Sequence, residues 1–126
     1  MTFTGTVIHG TKHGRTLGYP TMNMEVSERL TAVLGQHGVY AVSVLLGGKE
    51  YCGALFWGVR SLFAETEPVC EIAVLDFSGE AYGEPLLVEV ISFIRPAMQV
   101  TDPSELSRMI KKDLIDVKKA YAISRG

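Results

Sequence analysis

The chain has 126 residues, of which 47% are apolar. This length suits one domain, residues 1–126, with a single hydrophobic core that folds without disulfide staples. The formal net charge is −2, and charges of both signs are spread along the chain without a basic stripe. This pattern argues against a nucleic-acid partner or an anionic membrane surface.

Cysteine use and the lack of targeting segments narrow the class of protein further. Cys52 and Cys70 each lie in an apolar, strand-like run, so we expect buried free thiols, with a disulfide as the unsupported alternative. No Cys/His spacing suggests a zinc site. Because we find no signal peptide and no apolar run near 18 residues, we expect a cytoplasmic protein with no membrane contact. No obligate protein partner is evident from the sequence.

Most of the chain has the patterns of β-strands. Thr2 to Ile8 alternates loosely and is rich in Thr, Val and Ile, which predicts a first strand. A short turn is expected around Ser27 to Leu34, and Gly47-Gly48 is typical of a two-residue hairpin. Apolar or alternating runs predict four further strands, over Val39–Leu46, Lys49–Val59, Val69–Phe77 and Leu86–Ile94.

The last segment changes from strand to helix periodicity. Asp102, Pro103 and Glu105 form a typical helix start, with Asp as the cap and Pro at the first helical position. Apolar side chains then recur at helical spacing, at Leu106, Met109, Ile110, Leu114, Val117 and Tyr121. About five or six strands joined by hairpin signals and followed by one helix favour an antiparallel barrel with the helix packed against it.

The segment Gly10 to Asn23 is polar, glycine-rich and too long for a simple turn. Such loops in small domains are often functional, and glycine backbone N–H groups can cradle phosphate oxygens. We interpret it as a phosphate-binding loop followed by a short segment that contacts metal and phosphate; a mobile surface loop is the alternative. It is not a Walker A loop, because Gly10-x-x-x-Gly14-Arg15 is one residue too short and has Arg where Lys is required.

One carboxylate stands out in the predicted strands. The two-residue period of the Val69–Phe77 strand places Glu71 on the same face as Val69, Ala73, Leu75 and Phe77. A carboxylate on an apolar face is partly desolvated, which suits a general base. The alternative is an ion pair with a cation on a neighbouring strand.

The order and spacing of short motifs over nearly the whole chain resemble the riboflavin kinase (flavokinase) family. The first match is Gly5-x-Val7-x-x-Gly10, followed by Gly14-Arg15-x-Leu17-Gly18-x-Pro20-Thr21-x-Asn23. The later matches are Gly38-Val39-Tyr40, Glu71-Ile-Ala-Val-Leu-Asp76-Phe77, Tyr82-Gly83-x-x-Leu86 and Phe93-Ile94-Arg95-Pro96.

The resemblance implies a six-stranded antiparallel Greek-key barrel that transfers the γ-phosphoryl group of ATP to the 5′-hydroxyl of riboflavin, giving FMN and ADP. It implies that Glu71 is the catalytic base and that Thr21 and Asn23 contact Mg²⁺. It also implies a set of nucleotide- and phosphate-binding residues: Gly10, Lys12, Gly14, Arg15, Gly18, Pro20 and Thr21. Arg15 or Lys12 would neutralise phosphate charge.

Other interpretations and some departures from the family pattern stay open. Thr21 and Asn23 could be turn residues after Pro20, and Phe56 and Trp57 are expected in the core. The run 55–61 and Ala73 differ from residues common in the family, which keeps open a flavin- or nucleotide-binding module without turnover. A barrel used for oligomerisation or RNA binding is a third class. If the chain is complete, the missing nucleotidyltransferase module predicts FMN but no FAD.

Overall fold

A computed structural model describes residues 1–8, 21–60, 66–100 and 102–126. Within these residues, six strands and two helices follow in the order β1, β2, α1, β3, β4, β5, β6, α2. The strands are β1 Thr2–Ile8, β2 Thr21–Met24, β3 Gly38–Leu46, β4 Lys49–Gly58, β5 Val69–Val74 and β6 Pro85–Pro96. The helices are α1 Glu28–Leu34 and α2 Pro103–Arg125.

The strands form a closed antiparallel barrel in the order β1-β2-β5-β4-β3-β6, and β6 pairs with β1 to close it. The consecutive strands β3, β4 and β5 are neighbours, and β6 returns to lie beside β3, which is a Greek-key connection. Gly47 and Gly48 both have positive φ, as the tight β3–β4 hairpin requires. The expected barrel and C-terminal helix are therefore confirmed.

Alternation along the strands fills the barrel interior with apolar side chains. Met22, Met24, Leu55, Trp57 and Ile72 belong to this inner cluster and are almost inaccessible to solvent. A second, outer cluster lies between α2 and the outer faces of its neighbouring strands; it is built around Val39, Ala41 and Val117. Because side chains of one strand point alternately to the two clusters, neighbouring residues in sequence belong to opposite sides of the barrel wall.

Helix α1 differs from the expectation of a short turn. Ser27 Oγ accepts a hydrogen bond from the backbone N–H of Leu30 at 3.1 Å, and Gly35 ends the helix with a φ of 61°. Leu30 and Leu34 are buried in the inner cluster. A capped start, a glycine end and one apolar face are sufficient for this seven-residue helix.

Strand β5 ends three residues earlier than predicted. Leu75 and Asp76 form a turn, in which Asp76 has a φ of 63°, a conformation that Asp tolerates better than most residues. Phe77 consequently packs against the inner cluster, with its ring 5.5 Å from that of Tyr51. The prediction that Phe77 shares a strand face with Glu71 is therefore wrong.

Helix α2 begins as predicted. Asp102 accepts a hydrogen bond from the backbone N–H of Ser104 at 3.0 Å, and Pro103 occupies the first turn. Of the expected apolar stripe, Leu114 and Val117 are buried and the remaining four residues are half-buried. This face packs on the outer sides of β3, β4 and β6.

Candidate active site

Two of the predicted site residues meet on the outer face of the barrel. Asn23 on β2 pairs directly with Glu71 on β5, so both side chains project from the same face. Met22 and Met24 point into the inner cluster, which leaves Asn23 on the outer side. Despite this position, Asn23 is 8% exposed and Glu71 is 9% exposed. An amide and a carboxylate thus lie side by side, both largely shielded from water.

Thr21 occupies the same face one step further along. It pairs with Ala73, two residues beyond Glu71 on β5, and it is half-buried. Thr21 also lines a cavity at the end of the barrel, together with residues of β5 and of the segment 77–82. Because Thr21 and Asn23 both lie within β2, the alternative that they are turn residues is wrong.

Glu71 forms an ion pair that the sequence indicated only in general terms. Arg60 Nη1 donates to Glu71 Oε2, and each side chain is 11% exposed. Arg60 follows Gly58, the last residue of β4, and β4 is the direct neighbour of β5. The alternative of an ion pair at Glu71 is therefore confirmed, but the cation lies two residues beyond the end of β4 and not on the strand itself. The position of Arg60 in the sequence, just beyond the strand predicted next to that of Glu71, was the signal that could have identified it as the partner.

The other neighbour of Glu71 is apolar. Phe56 on β4 pairs with Glu71, is half-buried and packs against the outer cluster. Trp57, the next residue, points inward and is 2% exposed. The expectation that both are core residues therefore holds in two different layers: Trp57 lies in the inner core, whereas Phe56 forms part of the outer wall beside the carboxylate.

Neither thiol is suited to act as a nucleophile. Burial, followed by the neighbouring Glu71 charge, raises the pKa of Cys70 far above its ordinary value. Burial also raises the pKa of Cys52, to about 11. Both are free, as expected, but only Cys70 is buried, whereas Cys52 is half-buried; both stay protonated at neutral pH.

The remaining predicted site residues cannot be placed relative to Glu71, because they fall outside the part of the chain that the structure describes. Gly10, Lys12, Gly14, Arg15, Gly18 and Pro20 all lie outside the described residues. Within the described part of the chain, no group of three or more His, Cys, Asp or Glu side chains could hold a metal ion. The oxygens of Thr21 and Asn23 fit Mg²⁺ in another way, because Mg²⁺ accepts few protein ligands when phosphate oxygens and water complete its coordination.

Comparison with known proteins identifies the family. A family model described as flavokinase (riboflavin kinase) matches residues 1–121. The chain belongs to the riboflavin kinase family. A bifunctional riboflavin kinase/FMN adenylyltransferase of Listeria monocytogenes, a relative from this family, is 34% identical over 119 residues, which are 94% of this chain and 37% of the relative. The chain thus spans well under half of the curated relatives it matches.

Solved structures extend the comparison. The crystal structure of a protein named macrolide-efflux protein from Streptococcus pneumoniae matches with a TM-score of 0.77 and 28% identity, covering 93% of this chain and 38% of that one. Riboflavin kinase from Trypanosoma brucei has the same fold, with a TM-score of 0.66 and 21% identity over 94% of this chain and 77% of that one. Among the described residues, no helix is long and apolar enough to cross a membrane.

Proposed function

We propose that this riboflavin kinase family member transfers the γ-phosphoryl group of ATP to the 5′-hydroxyl of riboflavin, giving FMN and ADP. Family membership supports the kinase class. The observation that carries the residue assignment is the direct pairing of Asn23 with Glu71 across β2 and β5. This register brings an amide oxygen that can bind a metal ion next to a shielded carboxylate that can act as a base. Phosphoryl transfer to an alcohol needs both charge neutralisation and a base.

Glu71 acts as the general base in this proposal. It accepts the proton of the ribityl hydroxyl as the oxygen attacks the γ-phosphorus, while ADP leaves with the electron pair of the broken P–O bond. The low exposure of Glu71 favours its role as a base, because a shielded carboxylate forms few hydrogen bonds with water that a substrate would have to replace. A base within hydrogen-bonding reach of the nucleophile typically contributes about 10²–10⁴-fold to such a reaction.

Thr21 and Asn23 would hold Mg²⁺ together with phosphate oxygens of ATP. Mg²⁺ held by these two side chains would help neutralise the negative charge of the phosphates. Thr21 also borders the small cavity at the barrel end and is half-buried, so its hydroxyl is within reach of a ligand that binds on that side. Gly10, Lys12, Gly14, Arg15, Gly18 and Pro20 are proposed to surround the phosphates, with Lys12 or Arg15 supplying positive charge.

The flavin side of the site is proposed to lie against Phe56. An isoalloxazine ring needs an apolar wall within the length of the ribityl chain from the reacting hydroxyl, and Phe56, the cross-strand neighbour of Glu71, lies within that range. Its partial exposure leaves ring surface that a ligand can cover. Riboflavin stacked on this part of the outer wall would present its ribityl chain towards Glu71.

One observation favours a second candidate, a flavin- or nucleotide-binding module without turnover. Arg60 already occupies one oxygen of Glu71, as in a purely structural ion pair. A structural pair and a working base differ in what happens when the carboxylate is neutralised. If Glu71 is a base, a variant with a neutral side chain at this position should lose turnover and still bind riboflavin and ATP.

The test is a chromatographic assay for FMN after incubation of the purified chain with riboflavin, ATP and Mg²⁺. Glu71→Gln should retain riboflavin binding, measured by flavin fluorescence, and slow turnover by about 10²–10⁴-fold. Glu67→Gln, the same chemical change at an exposed position, is the matched control. Tight flavin binding with no FMN from the folded wild type would support the binding module instead.

A further inference from the structure

We infer that Arg60 is a positioning residue, which holds the Glu71 carboxylate in place for the attacking hydroxyl and does not contact the phosphates of ATP. This inference rests on the proposed function. It concerns a residue that no sequence motif assigned to the site, although an arginine near a phosphoryl-transfer centre is normally expected to neutralise phosphate charge. The structure separates these two roles by position.

The first step is the order of strands across the barrel wall. Strand β5 lies between β2 and β4, so Glu71 stands between the strand that carries Thr21 and Asn23 and the strand that leads into Arg60. The proposed phosphate side is therefore β2. Two neighbouring inter-strand spacings separate β2 from β4, about 10 Å in all.

The second step is the position along the strands. Thr21 is level with Ala73, two residues beyond Glu71, whereas Gly58 is level with Val69, two residues before it. Val69 and Ala73 are four residue steps apart on β5, which corresponds to a backbone distance of about 13 Å. Arg60 enters from beyond Gly58, so Arg60 and Thr21 approach Glu71 from diagonally opposite sides.

The third step is the contact itself. The ion pair joins Arg60 Nη1 to Oε2 of Glu71, which leaves Oε1 as the oxygen that can face a substrate hydroxyl. A glutamate has several rotatable bonds, and a shielded partner that fixes one oxygen limits the orientations of the other. Fixed geometry of this kind accelerates a reaction because the base is already placed when the substrate binds.

The test compares Arg60→Met and Arg60→Lys with wild type. Arg60→Met should lower kcat by about 10–100-fold. This is the effect expected when the carboxylate of Glu71 moves by up to about 1 Å from its productive position. The dissociation constants of Mg²⁺–ATP and riboflavin, measured directly by calorimetry and flavin fluorescence, should stay within about threefold of wild type. Arg60→Lys should recover part of kcat, because it restores a cation beside Glu71.

A double-mutant cycle with Glu71→Gln shows whether Arg60 acts through the carboxylate. If it does, Arg60→Met should cause no further loss in the Glu71→Gln background, whereas independent effects would multiply. Arg29→Met is the matched control: Arg29 is exposed and donates to the carbonyl of Thr2 at 3.3 Å, so its loss should leave kcat unchanged in both backgrounds. If the Glu71→Gln rate is too low to measure, the separation of kcat from the dissociation constants decides.

Three results would overturn the inference, and they differ from the failure of the proposed function. A tenfold or larger rise in the Mg²⁺–ATP dissociation constant would make Arg60 a phosphate ligand. Equal losses of kcat in wild-type and Glu71→Gln backgrounds would make its role purely structural. An active Glu71→Gln enzyme would remove the base and its positioning residue while leaving the kinase intact. A wild type that makes no FMN would refute the proposed function itself, and the inference with it.

Discussion

The ion pair between Arg95 and Asp113 is expected to be the strongest single link between the helix and the barrel. Arg95 lies on β6 and donates from Nε and Nη2 to the two carboxylate oxygens of Asp113 on α2, each at 2.7 Å. The side chain of Asp113 is 8% exposed and that of Arg95 is 22% exposed. This is a two-point, charge-assisted contact with little access to water, which is the strong form of such a pair.

Removing only the arginine should destabilise the protein substantially. Arg95→Met leaves the Asp113 charge buried without its partner, and such changes cost about 3–5 kcal/mol when burial is complete. Because Arg95 retains some exposure, we expect a loss of about 2–4 kcal/mol from the free energy of unfolding. Asp113→Asn keeps an acceptor and removes the charge, so it should cost less, about 1–2 kcal/mol.

The double variant Arg95→Met/Asp113→Leu provides the control. It removes both charges and offers apolar side chains to the outer cluster, so it should be more stable than Arg95→Met alone. Urea unfolding followed by circular dichroism measures all four proteins, with the midpoint and slope fitted separately. A double variant no more stable than Arg95→Met alone, or an Arg95→Met protein within about 0.5 kcal/mol of wild type, would refute the reasoning.

Two further predictions concern the barrel and its helix. Hydrogen bonds from Arg125 lower the pKa of Glu50 and of Glu89 below their ordinary value of 4.5, so the stability they contribute is present above that pH and lost as the pH falls through the lowered values. Arg125→Met should therefore lower the Tm most near pH 7, and less as the pH falls below 4.5 or when 1 M NaCl is added; an effect of the same size under all three conditions would contradict this prediction. Gly38→Ala should cost about 1–3 kcal/mol in urea unfolding, because the new methyl group would meet the Arg95 carbonyl oxygen and, at 2.6 Å, the Phe93 ring. Wild-type stability of Gly38→Ala would show that the β3–β6 contact can relax.

Local patterns predicted most of the fold because each depends on neighbouring residues. The hairpin follows from two glycines with positive φ, and helix α2 follows from its cap and apolar period. Helix α1 was underestimated because its signal is short: one serine cap and two buried leucines. The early end of β5 was not predicted because the two-residue pattern of the sequence continues through Phe77. The strand nevertheless ends before Asp76, which has a left-handed backbone conformation.

The site could be predicted only in part because it depends on register. Family resemblance indicated Asn23 and Glu71 separately, but periodicity within one strand cannot say which residue of another strand lies opposite. The direct pairing of Asn23 with Glu71 emerges only when β2 and β5 are aligned. Arg60 belongs to no regular strand or helix, so no hydrophobic periodicity indicated its position. Its proximity to Glu71 follows from the register between β4 and β5.

The proposed site lies outside the barrel interior, which agrees with the size of the barrel. Six strands enclose an interior that apolar side chains fill, so no room is left there for a nucleotide or a flavin. The outer face and the ends of the barrel remain for a ligand, and α2 covers the outer face over β3, β4 and β6. The paired strands β2 and β5 carry Asn23 and Glu71 on that same face, beside the segment that leads into Arg60. Among the described residues, the outer wall is thus divided between a helix that packs on three strands and a polar strand pair that is free of this helix, and this division leaves the proposed site room beside a filled core.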